Sequence, residues 1–251
     1  MAGLALISDI HGNCVALDAV LADLSHHQVA DIVCLGDIAA GGPQPREVIS
    51  CLRKLGCRAV RGNGERWLLE GLPPGQSEET KRLAEVARWT RDQLAVADLD
   101  YLAALPTTLT VALGSLTLFC FHGSPRSDIE SLLATTREEE LNEVLADAPA
   151  ARVLAGGHTH LQLLRAWDDR LLINPGSVGL PLDSVAGATA PLPGRAEYAI
   201  VEVEDGAVEV AFRHLSVDVD ALAAATAAMP HRSWAADLER RIRRWNARSV
   251  R

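Results

Sequence analysis

The stretch Leu4-Ala5-Leu6-Ile7-Ser8-Asp9-Ile10-His11-Gly12-Asn13 decides how the rest of the chain is read. Four consecutive apolar residues form a short buried strand. Directly after it come a carboxylate, an imidazole and a glycine. The same succession recurs down the chain. Strand 31–35 runs into Gly36-Asp37, and 58–60 into Arg61-Gly62-Asn63-Gly64-Glu65. Strand 116–121 runs into His122-Gly123, and 153–155 into Gly156-Gly157-His158-Thr159-His160. Five times a strand ends in a metal-capable side chain beside a glycine.

Between these strands the apolar residues take helical spacing. Leu17, Val20, Leu21 and Leu24 mark a helix over 13–26, and Val48, Ile49, Leu52 and Leu55 mark one opening at Pro45. Residues 77–105 read as helical, with Leu83, Val86, Ala87 and Leu94 on one face. Hairpins are predicted over 109–121 across Gly114-Ser115 and over 198–213 across Asp205-Gly206. Residues 137–146 read as a helix and 171–173 as a strand. The Ala-, Gly- and Pro-rich segment 183–195 reads as a mobile loop, and 218–229 and 234–245 as closing helices. Strands alternating with helices make this an α/β protein.

Composition narrows the class. The 251 residues carry 24 Lys+Arg against 33 Asp+Glu, a net charge of −9, with 48% hydrophobic residues. That balance excludes a disordered chain and a protein gripping nucleic-acid backbone over a broad face. No apolar run approaches the ~18 residues of a membrane span, and the first residues lack the pattern of a signal peptide. The five cysteines form no C-x-x-C pair and read as small core residues of a reducing, cytoplasmic setting.

In open α/β sheets ligands bind beyond the carboxyl ends of the strands, so the five loops share one rim. Glycine there lets neighbouring loops approach a common centre. Asp9 and His11 are two residues apart, as are His158 and His160, so on extended backbone each pair points to one side. The set is Asp9, His11, Asp37, Asn63, His122, His158 and His160. Seven ligands exceed what one tetrahedral zinc takes. Two divalent ions sharing a carboxylate, ~3.5–4 Å apart, would use them all. Mixed imidazole and oxygen donors suit Mn, Fe, Zn, Co or Ni.

These motifs, in this order, resemble the calcineurin-like metallophosphoesterase superfamily, over residues 8–160. Asn174-Pro175-Gly176-Ser177-Val178-Gly179 resembles the family's small prokaryotic phosphodiesterase branch. The resemblance implies two mixed β-sheets packed as a sandwich flanked by helices, four layers in the order αββα. It implies that Asp9, His11 and His160 hold one ion, that Asn63, His122 and His158 hold the other, and that Asp37 bridges them. A hydroxide shared by both ions is the nucleophile it implies.

One departure stands out. The family usually places His after Gly-Asn, where it contacts phosphate and assists the leaving group; here that residue is Gly64. A general acid is typically worth ~10²–10⁴-fold, so slow turnover and acidic leaving groups are expected. Arg61 and His11 are candidates to compensate, and Gly64→His is the direct way to return the imidazole. Asn13 and Asn63, with the backbone at Gly64, are candidate substrate contacts, although Asn13 serves equally well as a helix N-cap. Trp67 is read either as packing or as a surface for stacking a nucleobase.

The reading is thus one domain over 1–251, with a cap-like helical insertion at about 66–105 and a helical extension at about 218–251. The extension carries the chain's basic run, Arg240-Arg241-Ile242-Arg243-Arg244, read as a solvated helix or an anchor to an acidic surface. The expected activity is metal-dependent phosphate-ester hydrolysis, of diesters rather than monoesters. The alternative is a metal- and phosphate-binding regulatory or scaffold protein with little turnover. The expected partner is a small phosphorylated molecule, with nucleotides among the candidates. A homo-oligomer is left open, and neither a membrane nor a stable nucleic-acid partner is expected.

Overall fold

A computed structural model of the chain describes residues 3–242, apart from 73, 74, 76, 147, 186, 187, 192, 193, 228, 230–235 and 237. Two five-stranded mixed sheets face one another. In the first, β1 (Gly3–Ile7), β2 (Val29–Cys34) and β3 (Arg58–Ala59) run parallel, followed outward from β1 by antiparallel β11 (Arg195–Glu204) and β12 (Ala207–Ser216). In the second, β5 (Leu116–Phe121), β6 (Val153–Ala155) and β8 (Arg170–Pro175) run parallel. Antiparallel β4 (Thr108–Leu113) and β7 (Gln162–Trp167) form its edges.

The alternation of side chains builds the layers. Leu4 and Leu6 of β1, Val33 of β2 and Val201 of β11 point into one core with Leu118 and Cys120 of β5 and Val153 of β6. This is the interior of the sandwich. Ala5 and Ile7 point the other way, onto Leu17 and Val20 of α1 (Cys14–Leu24), Ile49 and Leu52 of α2 (Pro45–Leu55) and Leu68 of α3 (Asn63–Glu70). Phe119 and Phe121 point outward from β5 onto Leu141 and Val144 of α6 (Glu138–Val144). A strand whose successive residues all face apolar neighbours must be apolar throughout, which is why β1 reads as an unbroken run. The expected αββα sandwich is the architecture found.

Four differences from the sequence reading have physical causes. The segment predicted helical over 77–105 is interrupted, forming α4 (Glu78–Gln93) and α5 (Val96–Ala103), because Leu94 and Ala95 take extended backbone. Residues 63–70 form α3 despite Gly64. β7 pairs with β8 through a turn at Asp168-Asp169, where Asp168 takes φ +48° without the usual glycine signal. The segment expected as a mobile loop instead pairs β9 (Leu182–Val185) with β10 (Ala188–Pro191), a backbone ladder that needs no apolar pattern. α7 (Val219–Ala227) forms as expected. Of the second closing helix, residue 236 and residues 238–242 are described and are helical; the rest lies outside the described residues. Among the described residues no helix is long and apolar enough to cross a membrane.

Candidate metal centre

The parallel strands of both sheets deliver their following loops to one rim. β1 leads to Asp9 and His11, β2 to Asp37, and β3 to Asn63 at the start of α3. From the other sheet, β5 leads to His122 and β6 to His158 and His160. All seven expected residues lie in these loops, and Asp9, Asp37, Asn63 and His122 are buried. They converge by a route different from the predicted one. The backbone at the paired positions is not extended: Asp9, His11, His158 and His160 have φ of 53°, 50°, 66° and 58°, and Asp37 has 52°. Of seven non-glycine residues with positive φ among the described residues, these are five. Left-handed backbone costs an L-residue on the order of 1 kcal/mol or more, and such strain clusters where side chains must be aimed.

Three of the four imidazoles are oriented by a backbone carbonyl. Nδ1 of His11 lies 2.7 Å from the Ala40 carbonyl, that of His160 2.7 Å from the Leu180 carbonyl, and that of His122 2.7 Å from the Leu35 carbonyl. A proton on each Nδ1 leaves the Nε2 lone pair facing the centre. There His11 Nε2 meets His160 Nε2 at 3.0 Å, and Asp9 Oδ1 lies 3.3 Å from His160 Nε2 and 3.9 Å from His11 Nε2. Asp9 Oδ1 is buried and accepts no hydrogen bond, whereas Oδ2 accepts from Ser8 Oγ at 2.5 Å and from the His158 N–H at 3.1 Å. Asp37 divides its carboxylate, with Oδ2 3.7 Å from His11 Nε2 and Oδ1 3.5 Å from His122 Nε2.

Asn63 repeats the pattern. Its Oδ1 lies 3.1 Å from His122 Nε2. With the amide turned over, Nδ2 would instead face His122 Nε2 at 3.1 Å, His158 Nδ1 at 2.9 Å and the Asp128 carbonyl at 3.1 Å. Acceptors meeting acceptors at these distances require a shared proton, an N–H or a cation between them. The donor set fits a metal: Asp9, His11 and His160 form one group with mutually close ligand atoms, and Asp9, Asp37 and His122 form a second.

Protonation follows from the same crowding. Burial alone would raise Asp9, but the imidazoles of His160, His122 and His11 hold it well below the ordinary carboxylate range. Burial pulls all four imidazoles down. At His160 the charge of Asp9 overcomes it, and at His122 those of Asp37 and Asp9 do, so both end above the usual value. His11 and His158 end below it, each beside another imidazole.

The match to known proteins agrees with this geometry. Residues 3–206 match the model of the calcineurin-like phosphoesterase superfamily domain. The chain belongs to that superfamily. A metallophosphoesterase structure from Sphaerobacter thermophilus is similar, with 31% identity, a TM-score of 0.71, and coverage of 95% of this chain and 98% of that one. A hypothetical protein of Pyrococcus horikoshii shares the fold at a TM-score of 0.77 and 20% identity, covering 92% of this chain and 96% of that one. An uncharacterised protein of Methanocaldococcus jannaschii is 28% identical over 226 residues, 82% of this chain and 85% of that protein.

Around the centre, residues without a role in the sequence reading hold the loops in place. Glu65 is fully buried, and its carboxylate accepts the N–H groups of Asp37, Ile38, Ala39 and Gly62 at 2.8–3.2 Å. Ser177 Oγ donates to the Asp9 carbonyl at 2.7 Å, and Asn174 Nδ2 donates to the Gly157 carbonyl at 2.7 Å. The Asn174–Gly179 motif thus acts as a clamp on the Asp9 and His158 loops. Gly36, at φ +97°, shows why glycine is needed there: a Cβ would lie 2.8 Å from the Gly62 nitrogen.

The other expected site residues divide. Asn13 is the N-cap of α1, accepting from the Ala16 N–H at 3.0 Å and donating to the Gly179 carbonyl at 3.1 Å, while still lining a cavity next to the centre. Gly64 lines the same cavity, and its N–H donates to Asp37 Oδ1 at 2.7 Å. Arg61 does not line it; it faces a separate cavity with His122, Ser124 and Asp128. The compensating role predicted for Arg61 at Gly64 is therefore not supported by its position, and His11 is the candidate that does line the cavity. Trp67 lines it as well. So does Arg241, so the basic run expected to face solvent or an acidic surface brings one arginine to the site.

Proposed function

We propose that the chain is a phosphoesterase that uses two divalent ions and hydrolyses phosphodiesters in preference to monoesters. The observation that carries this reading is the convergence of lone pairs from both sheets, with the Asp37 carboxylate divided between His11 and His122. Asp9, His11 and His160 would hold one ion, Asn63, His122 and His158 the other, and Asp37 both. Ions of the Mn, Fe, Zn, Co or Ni type, when bound there, supply Lewis acidity and a water acidic enough to react near neutral pH.

The remaining work belongs to the chain. The Gly64 N–H fixes one oxygen of Asp37 and thereby its orientation. The carbonyls of Ala40 and Leu180 keep protons on Nδ1 of His11 and His160, so that Nε2 stays an acceptor. The spare N–H of Asn13 can donate to a phosphate oxygen at the cavity wall. No Asp, Glu, Lys or Tyr lines the cavity beyond Asp37 among the described residues, so a departing alcohol finds no acid dedicated to it. That favours esters of acidic alcohols. A mostly apolar lining with one arginine also favours the singly charged diester over a dianionic monoester.

The test compares bis-p-nitrophenyl phosphate with p-nitrophenyl phosphate on Mn-loaded and chelator-stripped protein, with Asp37→Asn as control. Metal-dependent cleavage that favours the diester and falls at least 100-fold in Asp37→Asn is the expected result. Faster monoester cleavage would overturn the diester preference. Gly64 favours the second reading, a metal- and phosphate-binding regulator, and that reading takes over if the metal-loaded protein cleaves neither ester above the Asp37→Asn background.

A further inference from the structure

The cavity beside the centre has two unlike walls. One carries His11, Asp37 and Asn63. The other is built from Trp67 of α3, Leu83 and Val86 of α4, and Leu238 of the C-terminal segment. From the other wall we infer a subsite for the alcohol portion of the ester, one that selects an uncharged apolar group the size of a single six-membered ring. The inference rests on the reading of the centre as a phosphate-ester site.

Three observations carry it. The first is position: a phosphoryl group held at the polar wall has its substituents directed into the rest of the same cavity. The second is size. The whole cavity, polar wall included, measures about 150 Å³, and an apolar protein cavity of roughly 150 Å³ takes up one benzene molecule, so nothing larger than a single ring fits beside the phosphoryl group. The third is chemistry. Apart from the candidate ligands, Arg241 is the one charged side chain among the described lining residues. A second phosphate, a carboxylate or a sugar would therefore leave most of its polar groups unpaired against leucine, valine and the indole, at a cost that discriminates strongly.

The sequence explains how such a wall arises. Leu83, Val86 and Ala87 stand at i, i+3 and i+4 on α4, so one helical stripe faces the cavity. Gly64 adds nothing at the floor, where Ala40 is its neighbour.

The test is calorimetric and does not depend on turnover. The Mn-loaded full chain is titrated with methylphosphonate, phenylphosphonate and phosphonoacetate. Phenylphosphonate is expected to bind at least about tenfold tighter than methylphosphonate, with phosphonoacetate no tighter than methylphosphonate. Leu83→Ser and Leu238→Ser are expected to reduce the phenyl preference at least threefold and to leave methylphosphonate binding unchanged; thermal melts verify that both variants fold. Equal binding of the methyl and phenyl ligands would overturn the subsite and leave the phosphate-ester reading intact. So would a phenyl preference that survives both substitutions, or phosphonoacetate binding as tightly as phenylphosphonate. Binding of none of the three would overturn both the subsite and the reading beneath it.

Discussion

At position 64 the backbone leaves a side chain little room. Against the family's usual His, Gly64 lacks a general acid typically worth ~10²–10⁴-fold, and Gly64→His is the direct way to return it. In the folded chain Gly64 sits at the start of α3, and a Cβ there would lie 2.9 Å from Asp37 Oδ1 and 3.3 Å from Ala40 Cβ. Elsewhere in a helix, replacing glycine with alanine gains about 1 kcal/mol. Here the contact falls on a carboxylate that the Gly64 N–H already holds, and overpacking of this kind costs about 1–3 kcal/mol. Gly64→Ala is therefore expected to lower both the melting temperature and the metal affinity, and Gly64→His to give no large rate gain. Thermal melts, metal titrations and diester rates on the two variants check this; a hundredfold acceleration in Gly64→His would show that Asp37 yields without cost. The identities of the seven residues were legible because each is a strong ligand type at a strand end. Their left-handed backbone was not, because Asp and His tolerate αL without requiring it.

Among elements, legibility followed burial. β1 and β6 are buried throughout and β2 and β5 at the ends that lead to the centre, so all four announce themselves as apolar runs, and α1 and α2 show their stripes plainly. α3 was hidden because Gly62 and Gly64 were taken up in the reading of a ligand loop after β3. What fixes its start is Glu65, whose carboxylate ties the first turn of α3 to the Asp37–Ala39 backbone. β7 was hidden because it is an edge strand with mixed burial, closed by a turn lacking glycine. The Glu65 contacts also make a prediction. Glu65→Gln keeps the shape, but its NH₂ would face backbone donors that the second oxygen now satisfies. Losing charge-assisted bonds and leaving N–H groups buried without partners should cost about 2–4 kcal/mol. Denaturant unfolding measures that loss, and metal affinity should fall with it, since the Asp37 loop hangs on the same carboxylate. Unchanged stability would mean that the loop is held without Glu65, by the Gly64 N–H and by the His11 and Gly12 N–H groups that donate to the Asp37 and Ile38 carbonyls.

At the scale of the whole molecule, the candidate ligands come from both sheets: Asp9, His11, Asp37 and Asn63 from the first, His122, His158 and His160 from the second. A cation among Asp9, His11 and His160 therefore ties together the loop ends of two sheets whose common core is already sealed by Leu6, Val33, Leu118 and Val153. Without metal, each group keeps a proton where the ion would go. His160 and His122 hold theirs above the usual imidazole range, whereas His11 and His158 give theirs up below it. Metal uptake must then expel the protons that His160 and His122 hold, and apparent affinity must rise with pH until those two imidazoles are neutral. Calorimetry in buffers of different ionisation enthalpy counts them; tight binding with no proton release would contradict the assignment. Chelation should also destabilise the fold. A site filled to 100 times its Kd contributes about 2.7 kcal/mol, worth a fall of roughly 5–10 °C in Tm for a chain of this size. Hydrogen exchange locates that loss. Stripping the metal should expose the amides of residues 8–13 and 157–160 while β1, β5 and β11 stay protected, because apolar packing between the sheets does not depend on the ions. Loss of protection across all three strands would instead mean that the ions hold the sandwich shut.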